Sequence, residues 1–298
     1  MRIHPYLLLA IAMLFFSGNF IVGKAFEGII PPFTLAFFRF AVGSLILLPF
    51  CIKTLIKQKA LWRNEWKPLL GLSISGIVLF NSSLYWAVNF TSSINASIVD
   101  ALTPTVAAIL GFFILRESLS KIQLFGIILS FAGILAIITE GSWSVLTTLT
   151  FNRGDLIMLF GIICWAIYSI IIKLHSYKFP AIAGLVVTMV IGTIILMPIA
   201  LIETYYLGIP NLFQKEILLG LAYIGIFPSA ISLLLWYRGV SEIGPGKASI
   251  FFNLVPIFTT AMAITLLGEN ITSSQIIGGI VVLSGVYLST KAPKRMRN

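Results

Sequence analysis

Long runs of apolar residues follow one another along this chain, separated by short polar connections. Ten of these runs hold about 20 residues each, the length that a helix needs to cross the ~30 Å hydrocarbon core of a bilayer. The runs are continuously apolar and do not alternate, which excludes a membrane β-barrel, and a helix is then the element that satisfies its own backbone in lipid. The pattern predicts an all-α polytopic membrane protein with ten transmembrane helices near 5–24, 33–52, 68–88, 93–115, 120–139, 154–174, 180–203, 214–237, 245–267 and 273–290.

Composition supports a membrane protein, and the distribution of charge predicts its orientation in the membrane. Hydrophobic residues make up 58% of the 298 residues and charged residues only 10%, against about 25% charged residues in a soluble domain. With the N-terminus inside, the inward connections hold sixteen of the lysines and arginines, and the outward ones hold only Lys24, Arg153 and Lys215. This bias predicts a multi-pass protein of the inner (plasma) membrane with both termini in the cytoplasm. We expect the basic run from Lys53 to Lys67 to contact anionic lipid headgroups and not nucleic acid.

The second half of the chain repeats the first. A shift of 152 residues superposes Tyr85 on Tyr237, Ala96-Ser97-Ile98 on Ala248-Ser249-Ile250, Pro104 on Pro256, Glu117 on Glu269 and Gly126 on Gly278. The pattern predicts two five-helix repeats, 5–139 and 154–290, with a periplasmic linker at 140–153 and a basic cytoplasmic tail at 291–298. Because five is odd, the second repeat must cross the membrane in the opposite direction. Such an inverted repeat is typical of transporters that open a central site to each side in turn.

The repeated motifs also carry a family resemblance. Each half ends with a proline-containing helix, a Leu-x-Glu turn and a helix with one glutamine and spaced glycines. These are Thr103-Pro104, Leu115-Arg116-Glu117, Gln123, Gly126 and Gly133, and then Val255-Pro256, Leu267-Gly268-Glu269, Gln275, Gly278 and Gly285. Each half opens with a helix that runs from an aromatic residue to a lysine, Phe16 to Lys24 and Trp165 to Lys173.

In the order and symmetry of these motifs, nearly the whole chain resembles the EamA family of the drug/metabolite transporter superfamily. The resemblance implies two tandem five-helix repeats and transport of metabolites, commonly export, without naming one substrate. The chain departs from the family at Phe16, where tryptophan is frequent, and at Asp100, where a small or apolar residue is usual. The repeat partner of Asp100 is Phe252.

Two charges, Arg39 and Asp100, lie well inside predicted helices. Each costs about 2.5–3.5 kcal/mol at the bilayer centre on insertion scales, so such residues are usually functional. Both lie roughly 9–10 Å from the periplasmic ends of their helices at ~1.5 Å per residue, which permits an ion pair. Two interpretations stay open: a substrate or proton site beside a cavity, or a structural pair that fixes the second helix to the fourth.

Prolines inside two predicted helices point to the same region. Pro104 cannot bond the carbonyl of Asp100, and Pro256 cannot bond that of Phe252, which lies next to Asn253. Broken or kinked helices near the midplane are where transporters place their sites. The alternative is an ordinary proline kink.

Aromatic and amide side chains lie at a similar depth. For Asn19, Trp165 and Tyr168 we favour a cavity lining, because these residues lie in the middle of their helices. Tyr85, Trp86, Trp236 and Tyr237 lie closer to helix ends, where an interfacial aromatic belt is slightly favoured. Asn89 and Asn95 complete the weaker candidates. We expect Lys24 and Lys173 to extend to the interface, and Glu117 and Glu269 to stabilise the N-terminus of the helix that follows each.

Other chemistries lack their signatures in this sequence. There is no GxxxxGK[ST], HExxH or GxSxG motif, and Cys51 and Cys164 have no metal or disulfide spacing. We therefore expect no enzyme activity, cofactor or metal. The sequence favours a secondary transporter that exports small metabolites, amino-acid-like or otherwise amphipathic, by alternating access, as a monomer or a homodimer in contact with membrane lipid. The alternatives are a membrane-embedded enzyme acting on lipid, and a polytopic scaffold or sensor subunit.

Overall fold

The computed structural model describes residues 4–116, 119–142, 151–208, 212, 214–243 and 250–290. Within these ranges the protein is helical and has no strand. Eight helices are long and apolar enough to cross a membrane, and two apolar helices of 17 residues follow them. In chain order they are α1 Pro5–Ala25, α2 Pro32–Lys57, α3 Trp66–Ala87, α4 Ser93–Leu115, α5 Lys121–Ile138, α6 Arg153–His175, α7 Ala181–Leu207, α8 Lys215–Trp236, α9 Phe251–Leu267 and α10 Ser273–Ser289.

The helices agree with the apolar runs, and the differences lie at their ends. Both α2 and α7 continue beyond the predicted ends, to Lys57 and Leu207, and each contains a proline, Pro49 or Pro198. Helical structure also continues past α8 to Ile243. A helix can outlast its apolar run because polar side chains at its end reach water or lipid headgroups without leaving the helical backbone.

The helices α5 and α10 pack closely in antiparallel directions through glycines. A Cβ atom added to Gly126 would lie 2.6 Å from the carbonyl oxygen of Gly285, and one added to Gly133 would lie 2.9 Å from that of Gly278. Only glycine lets two backbones approach this closely, as at many helix contacts in membranes.

Matching capping boxes begin these two helices. The hydroxyl of Ser120 accepts from the Gln123 amide while the Gln123 side chain accepts from the Ser120 amide, and Thr272 and Gln275 repeat both bonds. Each box satisfies two donors that the first turn of a helix otherwise leaves open. The two caps are 152 residues apart, the spacing of the sequence repeat.

Short π-helical segments interrupt α3 and α8. They span Ser73–Leu79 and Phe227–Ile231. At their ends the amide of Phe80 donates to the Ser75 carbonyl and that of Ser232 to the Phe227 carbonyl, five residues back instead of four. Such segments insert one residue into a helix and are frequent at functional sites.

The surface of the bundle is apolar along its length. Side chains such as Phe113, Leu201 and Ile277 are more than half exposed, which suits helices solvated by lipid. Serines, threonines and asparagines lie inside the bundle, among them Ser17, Asn81, Thr105 and Ser229. The polar chemistry of the protein is therefore concentrated between its helices.

Candidate functional site

The backbone of α4 and the start of α9 depart from regular α-helix shortly before Pro104 and Pro256, and we call these two places the breaks. In α4 the first segment ends at Asp100, Ala101 and Leu102 form a turn, and helix resumes at Thr103. In α9 a 3₁₀ turn at Ile250–Asn253 precedes the α-helical segment from Leu254. Pro104 and Pro256 follow these breaks directly, because neither supplies the N–H that would continue the helical bonds.

Asp100 lies at the break in α4 and is partly exposed. Its Oδ1 accepts a hydrogen bond from the Thr103 hydroxyl at 3.4 Å. The ion pair with Arg39 that equal depth permitted is not formed, because the Arg39 guanidinium is held by polar residues of other helices. Among the residues that the structure describes, no cation forms a salt bridge with Asp100.

Arg39 is the centre of a buried hydrogen-bond network. Its side chain, only 6% exposed, donates from Nε to the Ser229 hydroxyl at 2.9 Å and from Nη1 to Asn81 Oδ1 at 2.6 Å. A longer bond of 3.4 Å reaches the Tyr85 hydroxyl, and the guanidinium lies 5.0 Å from the centroid of the Phe40 ring. One cation on α2 therefore joins α3 to α8 without an ionised partner in the described part of the chain.

The two closer partners of Arg39 are held at the π-helical segments: Ser229 lies within one, and Asn81 bonds a carbonyl of the other. Ser229 donates to the carbonyl of Ile224, and Asn81 donates to that of Gly76, each five residues back. The extra residue in each segment turns the backbone so that these side chains point at the guanidinium. The network thus couples the interruption in the first repeat to the one in the second.

Tyr85 and Asn19 extend the network to α1. The Tyr85 hydroxyl donates to Asn19 Oδ1 at 2.5 Å, and the side chains are 1% and 4% exposed. Gly23 makes room for the Tyr85 ring, since a Cβ there would lie 2.8 Å from ring carbon Cδ1. An interfacial belt is therefore the wrong interpretation of Tyr85. Asn19 is buried against Tyr85, and its role as a cavity lining stays a prediction.

Trp165 and Tyr168 stack on each other beside this network. Their ring centroids are 4.7 Å apart, and Trp165 lies 4.6 Å from Phe80 of α3. The Tyr168 ring covers Gly76, the residue whose carbonyl accepts from Asn81. Gly76 therefore lies between these two aromatic residues of α6 and the hydrogen-bond network of Arg39.

A second aromatic group surrounds the break in α9. Phe252 stacks on Phe16 of α1 at 6.3 Å and lies 4.7 Å from Trp236 of α8. Asn253 ends the 3₁₀ turn without making a side-chain cap, and Pro256 is buried. The side chain of Tyr237 is outside the described residues.

The remaining weaker candidates lie near the α3–α4 connection. Trp86 is 45% exposed, as an interfacial tryptophan would be, and it borders two surface depressions of about 430 and 690 Å³. Asn89 donates to the Tyr85 carbonyl, and Asn95 accepts from Gln275 at 2.8 Å. Asn89 therefore bonds to the C-terminal turn of α3, which precedes it, whereas Asn95 connects the first repeat to the second.

Lysine and glutamate at helix ends make contacts with other parts of the bundle. Lys24 donates to the carbonyls of Val88 and Thr91 in the α3–α4 connection and forms an ion pair with Glu27 at 2.6 Å. Glu269 does not hold α10, whose cap is Thr272, but accepts from the amides of Ser93 and Ile94 at the start of α4. Glu117 lies outside the described residues.

Several buried or half-buried polar residues were not singled out from the sequence. Asn81 and Ser229 bind Arg39, Asp155 accepts from Thr91 at 2.7 Å, and Glu203 accepts from the Thr34 amide at 2.7 Å. Asp155 is the one that the sequence could have marked, since it is an acidic residue in the first turn of a predicted transmembrane helix. In the described residues, no three side chains of His, Cys, Asp or Glu lie together in a group that could hold a metal ion.

Comparison with known proteins adds the family. The model of the EamA-like transporter family matches residues 4–139 and again 152–291. This chain belongs to that family. The EamA-like match occurs once in each half, so the chain carries two repeats of the family.

Relatives in the family extend over the same length. An uncharacterized transporter of Bacillus subtilis (strain 168), YyaM, is 31% identical over 97% of this chain and 94% of its own. An uncharacterized transporter of Archaeoglobus fulgidus is 30% identical over 97% and 98%. A crystal structure of a protein with 16% identity superposes with a TM-score of 0.63 over 95% of both chains, which shows a shared fold alone. Family membership and these names indicate a membrane transporter.

Proposed function

We propose that this EamA-like protein is a secondary transporter that exports small amphipathic metabolites, such as amino-acid-like solutes, by alternating access. The observation that carries the proposal is the antiparallel packing of α5 on α10. Gly126 meets Gly285 and Gly133 meets Gly278, whereas the sequence repeat equates Gly126 with Gly278 and Gly133 with Gly285. A two-fold axis in the membrane plane produces this crossed pairing, and parallel repeats do not.

The same symmetry supports ten spanning helices. At 17 residues, α9 and α10 are about 25 Å long at ~1.5 Å per residue, within the lower range of transmembrane helices. Two inverted repeats of five helices leave both ends of the chain on one side. The charge bias of the connections assigns that side to the cytoplasm of the inner membrane.

The breaks in α4 and α9 are the proposed substrate region. An interrupted helix exposes backbone groups to a cavity, which is how transporters build sites at the midplane. Asp100 adds a carboxylate at one break, and the aromatic residues of α1, α6, α8 and α9 add apolar surface nearby. This combination suits a solute with a polar group and an apolar body. Without a nucleotide-binding motif, an ion gradient is the proposed source of energy.

Solute flux is the test that separates transport from the alternatives. Cells that overexpress the protein are compared with cells that express Asp100→Asn, by untargeted measurement of metabolites in the medium. Compounds found in this way are then tested in proteoliposomes. We expect a few compounds to accumulate outside only with the unchanged protein and to cross the liposome membrane.

Two results would overturn the proposal. The absence of export and uptake by properly inserted protein would favour a scaffold or sensor. Conversion of a lipid without solute flux would favour a membrane-embedded enzyme.

A further inference from the structure

The α3–α4 connection and the start of α4 are tied to the second repeat by several polar contacts. The Glu269 carboxylate accepts from the Ser93 amide at 3.0 Å, the Ser93 hydroxyl at 2.8 Å and the Ile94 amide at 3.3 Å. The Gln275 amide group donates to Asn95 at 2.8 Å and to Ser92 at 3.3 Å. On the side of the second repeat, Glu269 lies in the connection between α9 and α10, and Gln275 lies in the first turn of α10.

The start of α6 packs against the α3–α4 connection from another side. The Asp155 carboxylate accepts from the Thr91 hydroxyl, and the Asn152 amide group donates to the Phe90 carbonyl at 2.9 Å. A Cβ at Gly154 would lie 2.5 Å from the Ala87 carbonyl oxygen, so backbone meets backbone here. In the proposed orientation all of these contacts lie at the periplasmic end of the bundle.

Glutamines at equivalent places in the two repeats have different partners. Gln275 crosses to α4, whereas the side chain of Gln123 donates to the Ser289 carbonyl at the C-terminal end of α10. The 152-residue shift equates Ser289 with Ile137. If the two repeats were symmetric here, Gln275 would therefore bond the C-terminal end of α5 at Ile137. The bundle is therefore asymmetric at these two residues.

We infer that Glu269 and Gln275 form the periplasmic gate of the transporter, and that the structure represents the state in which this gate is closed. The inference rests on the proposed function. The sequence repeat equates Glu269 with Glu117, which belongs to a cytoplasmic connection in the proposed topology and so serves as a control. A carboxylate is suited to this role because it bonds the free amides and the positive dipole end of α4 in one state and can be solvated by water in the other.

Spin labels on the two connections report the state of the gate without a known substrate. Phe90→Cys and Ile271→Cys place the labels at exposed positions, one beside Ser93 and one beside Glu269, after replacement of the native Cys51 and Cys164. Dipolar broadening in the continuous-wave spectrum measures the close population, and pulsed measurements in liposomes measure the separated one. In the parent protein we expect the close population to dominate.

Glu269→Ala should increase the ratio of separated to close labels about tenfold, because three bonds to the helix start are lost. Gln275→Ala should increase it less. Glu117→Ala should not increase it. Glu216→Ala is the matched control, since Glu216 is an exposed acidic residue at the same end of the bundle, in the first turn of α8, and it should leave the ratio unchanged.

An unchanged ratio in Glu269→Ala, or an equal rise in Glu117→Ala, would overturn the gate. If Glu269→Ala does not insert, Glu269→Gln provides the same test, since its amide oxygen can still accept one of the bonds. Separation of the labels without any solute flux would support the gate and reject the proposed function. Flux with an unresponsive Glu269 variant would do the reverse.

Discussion

The helices α4 and α9 occupy the same place in the two repeats and differ in what they present at their breaks. In both, regular α-helix begins just before a proline, Pro104 in one and Pro256 in the other. At the equivalent positions α4 has Asp100, which is partly exposed and bonded to Thr103, and α9 has Phe252, which lies between Phe16 and Trp236. The repeat has kept the backbone break and changed the side chain, so the two breaks share a shape and differ in chemistry.

The largest effect is expected where the repeats share backbone packing. In Gly285→Val a Cβ would lie 2.4 Å from the Ser130 amide nitrogen and 2.6 Å from the Gly126 carbonyl oxygen. Overpacking usually costs 1–3 kcal/mol, and we expect about 3 kcal/mol or more here because backbone atoms cannot move aside. Size-exclusion chromatography in detergent should show loss of monodisperse protein.

Gly279→Ala is the control for this packing. Its Cβ would be 3.6 Å from Ile98, an ordinary contact on the same helix, so its elution and melting temperature should not change. Normal folding of Gly285→Val would show that the α5–α10 contact does not hold the repeats together.

The next effect tests the difference between the breaks directly. Asp100→Asn should lower solute flux by about tenfold or more while insertion and melting stay normal, since an amide retains the bond to Thr103 but removes the charge. Phe252→Leu, at the equivalent position, should lower flux less. Equal losses in the two variants, or normal flux in Asp100→Asn at every pH, would remove Asp100 from the mechanism.

Arg39→Lys tests the link between the two π-helical segments. A lysine ammonium cannot replace the planar fork that reaches both Ser229 and Asn81, so we expect about 1–3 kcal/mol of lost stability. Unfolding in detergent measures it. In a double-mutant cycle with Ser229→Ala, the two losses should not add, because both variants remove the same bond. Full additivity would mean that the bond contributes nothing.

The smallest effect is expected at the opposite end of the bundle. Lys178 and Glu65 form an ion pair of 2.8 Å near the surface, where such pairs contribute little. The hydrogen bond to Glu65 raises the pKa of Lys178, so any contribution is present below the usual lysine pKa of about 10.4 and is lost only as pH rises above it. The melting temperature of Lys178→Ala should match that of the parent protein between about pH 6 and 9. A clearly lower melting temperature would show that the ion pair stabilises this end of the bundle.

The helices could be predicted well from the sequence because lipid offers no hydrogen bonds, so an apolar segment has to satisfy its own backbone as a helix. Apolar length alone located α1 to α10 to within a few residues at most ends, and the prolines located the breaks in α4 and α9. The errors at Lys57 and Leu207 have a simple origin: an apolar run measures the hydrocarbon core, while a helix can continue into the headgroup region.

The candidate site was harder to predict because a polar residue in an apolar run does not reveal its partner. Equal depth permitted an ion pair between Arg39 and Asp100, yet depth does not tell which face of a helix a side chain occupies. The π-helical segments turn Asn81 and Ser229 toward Arg39, and no residue type marks such a segment in the sequence. Tyr85 was misassigned for a related reason, since a tyrosine near a helix end is equally suited to a belt and to a buried network.

The π-helical segments of α3 and α8 also constrain which changes of chain length the protein can accept. Deleting one residue from Ser73–Leu79 would convert the wide turn into regular helix and leave the residues beyond it in nearly the same orientation, because a π segment already absorbs one extra residue. The bond from Asn81 to the Gly76 carbonyl, five residues back, depends on that wide turn and would be lost. A deletion in the regular helix of Phe80–Ala87 would instead rotate everything beyond it by about 100°. A family alignment should therefore show single-residue gaps within Ser73–Leu79 more often than within Phe80–Ala87.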